Sequence, residues 1–344
     1  MTMNSSTQIL LQLMRSSNGN GLWLADESGR DIWPQIKATN RSIDVLTNRF
    51  DQAVAAEKYG IPTTFCDWEF ASDHQYTHIY LRICKEKAIN QHLIQKAWNH
   101  LTIGGALHIA GEKNEGIKTY WDFACEIFSS DSRLKKHGMA YCGSLTKTAG
   151  GKIEKNDSYH ELVEISSWDG VAIFSKPGVY GWDKIDAGST LLIEQLKEHT
   201  PAWETAKSIL DLGCGYGFLT FASNWINSER RVATDNNAGA LLCTQKNAAA
   251  RGLNVEVVAG DKGDKVEGKF DLILCNPPFH RGFSVDGDLT QEFLTAAKTK
   301  LANNGTALFV VNSFIPLEKK AAGLFSKIDL LQDNRQFKVF ALRA

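Results

Sequence analysis

The 344-residue chain is 43% hydrophobic and 22% charged, with a formal net charge of −1; this is enough apolar material for two cores, and it excludes a globally basic coat for nucleic acid. No apolar run approaches membrane-spanning length and the first residues lack a basic-then-apolar signal, so a cytoplasmic protein with no membrane partner is expected. Seven cysteines, an odd number with no C-x-x-C pair, argue against a disulfide framework or a zinc site, and no metal is expected.

In chain order, residues 21–27 read as a strand with no glycine turn after it, and a second apolar strand covers 76–83. Ile89, Leu93, Ile94, Ala97 and Leu101 then recur at helical spacing on one face, and 104–109 form the next strand. The run 147–157 is polar, has paired glycines and lacks periodicity, which marks a linker. Beyond it, 159–165 and 168–174 alternate as a hairpin turning at Ser166-Ser167 or Asp169-Gly170. A helix is expected over 184–197, with Asp186 or Ser189 as its cap and Leu191, Leu192 and Leu196 facing inward.

Residues 208–217, Ser-Ile-Leu-Asp-Leu-Gly-Cys-Gly-Tyr-Gly, describe a buried strand running into a glycine-rich turn, with a helix expected over 218–227. Gly213, Gly215 and Gly217 let the backbone turn tightly and approach a ligand closely. The spacing is D-x-G-x-G-x-G, not the G-x-G-x-x-G of dinucleotide sites. The leading Asp211 would repel a pyrophosphate but suits a cationic ligand carrying an amino group. The next strand ends at Asp235, placed to accept from ribose hydroxyls, and 255–260 end at Asp261, which could accept from an adenine amino group.

The strand 270–275 runs into Asn276-Pro277-Pro278-Phe279-His280. Pro277 biases Asn276 to an extended conformation, and the two prolines offer carbonyls with no N–H of their own. A planar –NH2 group can donate to the Asn276 side-chain oxygen and to the Pro277 carbonyl, while Phe279 offers a stacking face. His280 either relays a proton or is a loop histidine holding backbone.

Leu289, Phe293, Leu294, Ala297 and Leu301 repeat the pattern of residues 89–101 at an offset of 200, and a similar strand follows at 304–309. The preceding strands align at an offset of 194, which leaves six extra residues near 280–285, where a loop over the acceptor would be needed. Strands near Leu330 and Val339 flank a break at 332–335 that suits a tight reversal, so one of them should run antiparallel. The expected fold class is α/β, with two tandem Rossmann-like copies from a duplication, 1–150 and 156–344. The second is expected to hold a seven-stranded, mostly parallel sheet with helices between its first five strands. The same alignment sets Arg82-Ile83-Cys84-Lys85 opposite Asn276-Pro277-Pro278-Phe279, so the first copy keeps the scaffold and loses the chemistry.

The segment from about 168 to 343 resembles the S-adenosylmethionine-dependent methyltransferases, and among them is similar to the bacterial ribosomal RNA guanine-N2 "small domain" enzymes. The carriers are the Asp211-to-Gly217 turn, the Asn276-to-His280 motif, the closing strand at 335–340, and the stretch 176–189, which resembles the lead-in to the fold in small-subunit members. The resemblance implies S-adenosyl-L-methionine as cofactor, held by Asp211, Gly213, Gly215, Gly217, Asp235, Asp261 and Asn276. It implies catalysis by Asn276, Pro277 and Phe279 on the exocyclic N2 of a guanine in small-subunit (16S) ribosomal RNA, with the rRNA or the small subunit as partner. Residues 1–150 would be a degenerate, non-catalytic methyltransferase-like domain and 156–344 the catalytic one, a monomer with an internal pseudo-dimer. Arg133, Lys135, Lys136, His137, Lys147, Lys152 and Lys155 either touch phosphates or form a solvated face. The rival readings are a large-subunit guanine-N2 enzyme, a glutamine-N5 protein methyltransferase, a DNA adenine-N6 enzyme, and an RNA-binding assembly protein with a relict site.

Overall fold

A computed structural model describes residues 5–29, 32–71, 74–150, 156–278, 280–281, 284–285 and 287–344. It divides into two compact units, Met1–Glu161 and Leu162–Ala344.

Unit 1 runs α1 (Ser5–Ser16), β1 (Asn20–Ala25), α2 (Trp33–Lys37), β2 (Ser42–Thr47), α3 (Phe50–Glu57), β3 (Thr63–Phe65) and β4 (Tyr76–Arg82). It closes with α4 (Lys87–His100), β5 (Leu101–Glu112), α5 (Ile117–Phe128), β6 (Lys135–His137) and β7 (Ala140–Thr146). Its strands form one sheet in the order β3-β2-β1-β4-β5-β7-β6. The unit extends past the expected linker because Tyr159 is fully buried in its core and donates to Asp67 Oδ1 at 2.5 Å. Residues 156–161, expected to open the second domain, therefore pack on the first.

Unit 2 opens with a hairpin, β8 (Val163–Trp168) and β9 (Val171–Ser175). Of the two expected turns it uses Asp169-Gly170, both at positive φ, which matches the twist of a two-residue hairpin. The unit continues with α6 (Ala187–Glu198), β10 (Ser208–Leu212), α7 (Phe218–Ala222), β11 (Arg230–Asp235), α8 (Ala238–Ala249), β12 (Glu256–Ala259) and β13 (Phe270–Cys275). Two short strands, β14 (His280–Arg281) and β15 (Ser284–Val285), pair antiparallel where the six extra residues were placed. The last elements are α9 (Gly287–Lys300), β16 (Leu301–Asn312), α10 (Leu317–Ala321), β17 (Lys327–Asp333) and β18 (Phe337–Arg343).

The main sheet of unit 2, β12-β11-β10-β13-β16-β18-β17, has the topology of the first sheet position for position. β18 is the antiparallel strand of the last pair. The burial patterns of β5 and β16 are identical along twelve residues, as two copies of one framework require. Alternate residues of one strand feed opposite cores: Leu272 and Leu274 of β13 pack on one face of the sheet, Ile273 and Cys275 on the other. Each fully buried Leu, Ile or Phe contributes roughly 1.5–3 kcal/mol, which is why these runs have no polar alternation.

Two local expectations fail for physical reasons. The helix after the glycine turn stops at Ala222. The buried guanidinium of Arg231 donates to the carbonyls of Thr220, Ser223 and Ile226 and so terminates it. Between β12 and β13 there is a turn with no helix, since residues 260–269 must run back along the sheet to join two parallel strands and fall short of the dozen or more that a helical crossover takes. Lys147, a candidate phosphate contact, donates to the Leu101 carbonyl at 2.7 Å and lies over the Trp98 ring, committed inside its own unit. Lys152 and Lys155 lie outside the described residues.

Candidate active site

The chain leaves β10 to build β11 and β12 on one side, then returns to build β13 and β16 on the other. The strand order therefore reverses between β10 and β13, the place where open α/β sheets form a crevice at their carboxyl ends. Asp211 pairs with Leu274 across these two parallel strands. Leu212 ends β10 and Cys275 ends β13, each one residue beyond this pair, so the glycine turn and the proline motif leave the sheet from neighbouring strands. The glycine turn and the proline motif thus meet at one edge.

Gly213, Gly215 and Gly217 take φ of 81°, 56° and 84°, values L side chains rarely adopt. A Cβ on Gly213 would lie 3.0 Å from the Phe293 ring, and one on Gly217 would lie 2.9 Å from Thr244. Gly215 faces open space, so its backbone can lie directly against a ligand. The turn is braced from behind by residues the sequence did not single out. Thr244 Oγ1 donates to the Gly215 carbonyl at 3.0 Å, and the buried Asn247 amide donates to the carbonyls of Tyr216 and Phe174 at 2.8 Å each. Both sit on α8 at a three-residue spacing, facing the same way.

The acids differ in what they do. Asp235 ends β11 half-buried, its Oδ2 accepting from Gly215 N at 2.9 Å and its Oδ1 from Asn237 N at 2.8 Å. It fixes the turn. Asp261 is half-buried, ion-paired with Lys262 through Oδ2. Asp211 is 1% exposed; Oδ2 accepts from Thr220 Oγ1 at 2.6 Å, while Oδ1 has no hydrogen-bond partner among the described residues. Burial pushes its carboxyl up to about 7, against the pull of the Thr220 hydrogen bonds and with a further push from Asp235.

Asn276 stands at the end of β13. Its Nδ2 donates to Asp186 Oδ1 at 2.7 Å and to Ser189 Oγ at 2.8 Å. A carboxylate can only accept, so the amide end that faces it must be the –NH2, and Oδ1 points the other way. Neither Asn276 Oδ1 nor the Pro277 carbonyl receives a hydrogen bond among the described residues. Phe279, expected to stack on the acceptor, lies outside the described residues, as does the side chain of His280. The sequence offered Asp186 and Ser189 only as alternative helix caps. Asp186 is the cap, accepting from Ser189 N at 2.7 Å, and its second bond, to Asn276, was not foreseen.

The family profile described as methyltransferase small domain matches residues 170–341, and that for the methyltransferase small domain N-terminal region matches 8–155. The chain belongs to the methyltransferase small domain family. Among its relatives are two proteins named ribosomal RNA small subunit methyltransferase C. The one from Shewanella loihica is 28% identical over 89% of this chain and 88% of its own length. The one from Shewanella denitrificans is 26% identical over 99% of both. The solved structure of T. thermophilus 16S rRNA N2 methyltransferase RsmC, in complex with AdoMet and guanosine, superimposes with a TM-score of 0.85 at 23% identity. That likeness covers 99% of this chain and 92% of that one, and it places the two-unit α/β fold. Small domain methyltransferases use S-adenosylmethionine, and this site fits it: Gly215 leaves room for a ligand against the backbone, and the unpartnered Asp211 Oδ1 suits an ammonium. Among the described residues no helix is long and apolar enough to cross a membrane, and no group of three or more His, Cys, Asp or Glu could hold a metal ion.

Two results are expected of this methyltransferase site. Asp235→Ala removes the brace on Gly215 N and the carboxylate expected to accept from a ligand hydroxyl, and charge-assisted bonds of this kind are worth about 1.5–3 kcal/mol. The S-adenosylmethionine Kd should rise by about ten- to a hundredfold; an unchanged Kd by calorimetry would remove Asp235 from the site. The second concerns pH. A folded-state carboxyl raised to about 7 holds a proton that the unfolded chain has released, so its contribution is fully present below about 4 and is lost as pH rises through 7. Thermal melts of the cofactor-free protein should therefore show wild type losing more stability than Asp211→Asn between pH 5.5 and 8. Parallel curves would mean that Asp211 does not titrate in this window.

Proposed function

We propose that the chain transfers a methyl group from S-adenosylmethionine to the exocyclic N2 of a guanine in small-subunit (16S) ribosomal RNA. The observation that carries this is the fixed Asn276 amide, which leaves two acceptors, Asn276 Oδ1 and the Pro277 carbonyl, at the crevice edge beside the glycine turn. Two convergent acceptors match the two hydrogens of an amino group. The names of relatives that match most of the chain support the small subunit over the large.

The cofactor, when bound, supplies a methyl group already activated on a sulfonium. Asp211, Asp235, Asp261 and the backbone of Gly213, Gly215 and Gly217 would hold it. What remains for the protein is alignment and charge. The guanine amine is a poor nucleophile because its lone pair is delocalised into the ring. Asn276 Oδ1 and the Pro277 carbonyl would turn that lone pair toward the methyl carbon and favour the positive charge growing on nitrogen. Phe279 would stack on a base drawn out of its helix.

In this reading unit 1 is non-catalytic. β1 runs into Ala25-Asp26-Glu27 with no glycine turn, and β2 ends at Thr47 where β11 ends at Asp235. Arg82 takes the place of Asn276. The role of unit 1 is to dock RNA, with the exposed edge strand Lys135–His137 as the phosphate-facing candidate. Edge lysines also block strand-to-strand aggregation, so charge reversal at Lys135 and Lys136 must weaken RNA binding in a salt-dependent way for docking to stand.

Labelled methyl transfer from S-adenosylmethionine to small subunits, large subunits, free rRNA and a peptide release factor tests the reading. Label should enter 16S rRNA as N2-methylguanine. Label in 23S rRNA or in the release factor would overturn it.

A further inference from the structure

We propose that Asp186 and Ser189 are positioning residues for the transfer, which decide which end of the Asn276 amide faces the acceptor nitrogen. The inference rests on the function proposed above and concerns the same site.

A side-chain amide is nearly symmetric in shape, and its two ends have opposite chemistry. Turned one way, Asn276 offers an oxygen to the guanine amine. Turned the other, it would present N–H to N–H and orient nothing. The extended backbone and the following prolines leave this choice open, since they fix where the side chain starts and not its terminal rotation. The choice is made 90 residues upstream in sequence, at the start of α6: Asp186 Oδ1 lies 2.7 Å and Ser189 Oγ 2.8 Å from Asn276 Nδ2. Both amide hydrogens are taken. A flipped amide would set its oxygen against a carboxylate oxygen, acceptor to acceptor, and lose both bonds.

The lock is itself held. Asp186 Oδ1 also accepts from Ser189 N at 2.7 Å, so one carboxylate oxygen caps the helix and holds the amide. Ser189 is 6% exposed, with little room to turn away. Asp186 N donates to Tyr216 Oη at 3.3 Å, and Tyr216 lies in the glycine turn between Gly215 and Gly217. Asp186 therefore links the cofactor turn to the acceptor motif. The Asp186 charge has a second consequence: bonded to the –NH2 end, it pushes electron density toward Asn276 Oδ1 and makes it a stronger acceptor as the amine becomes cationic.

The experiment measures kcat, RNA KM and cofactor Kd for Asn276→Ala, Asp186→Ala, Asp186→Asn, Ser189→Ala and the double variant Asn276→Ala/Asp186→Ala. Asp186→Ala is expected to lower kcat about a hundredfold and Ser189→Ala about tenfold, with cofactor Kd near wild type. Asp186→Asn keeps an acceptor for both donors and should recover most of the loss. The double variant should be no slower than Asn276→Ala alone, because residues acting as a unit are not additive. A helix cap without a role in the transfer predicts the opposite: effects that multiply in the double variant, or wild-type kcat in Asp186→Ala, and either overturns the inference. Ser189→Ala leaves the Asp186 cap in place, so it answers the question even where Asp186→Ala folds poorly; wild-type kcat there also counts against the lock. If Asn276→Ala itself methylates normally, the functional reading fails first, which separates the two failures.

Discussion

Asn276→Ala is expected to lower kcat by about two to three orders of magnitude, the cost of removing one positioned group that stabilises developing charge. Cofactor Kd should stay near wild type, because the Asn276 amide is committed to Asp186 and Ser189 on one end and to the acceptor on the other. The fold should also survive. Asn276 is half-buried at a strand end, and its loss leaves Asp186 still capping α6 through Ser189 N. RNA KM should change less than kcat, since the bond to the amine strengthens only as charge develops. Single-turnover methylation of small subunits with saturating cofactor isolates the chemical step. A rate within a few-fold of wild type would remove Asn276 from the mechanism.

Arg82→Ala should be the most destabilising single change in unit 1, by about 3–5 kcal/mol, the cost of stranding buried charge. Arg82 is 3% exposed, bonded to Asp26 at 2.5 Å and to Glu115, two carboxylates that are themselves 6% and 5% exposed. Glu115 is held from its other oxygen by Glu112 N at 2.7 Å, so it cannot swing to water. Without the cation the two acids face each other in an apolar setting. Burial already pushes the Glu115 carboxyl up, and the Arg82 guanidinium opposes that push. In the variant the loss should therefore be greatest above neutral pH and smaller in acid, where Glu115 takes up a proton that relieves the repulsion. Hydrogen exchange in β1 and β4 across pH 5 to 8 would report it. Wild-type protection throughout would show that the ion cluster adds nothing to stability. The cluster also explains why unit 1 is read as non-catalytic: where unit 2 has a glycine turn and an amide, unit 1 has mutually neutralising charges.

The sequence by itself was sufficient wherever the information lies within a few residues. Glycines at alternate positions needing φ between 56° and 84° announced the turn, and the prolines after an apolar run announced the end of β13 at Cys275. The repeated helix pattern at 200 residues and the similar strands on either side of it announced two copies of one sheet. These features encode backbone conformation, which neighbours along the chain decide. The tertiary structure alone decided what each polar side chain faces. It turned Asp211 onto Thr220 and into the core, tied Asp261 to Lys262, committed Lys147 to Leu101 and Trp98, and ended α7 with a guanidinium from β11. It also joined Asp186 to Asn276 and Arg82 to Asp26 and Glu115. A carboxylate or amide carries no local signal of its partner. That partner is whatever the packing of distant strands and helices brings within 3 Å, and burial then makes the bond obligatory, because an unpaired polar group out of water costs more than the bond returns.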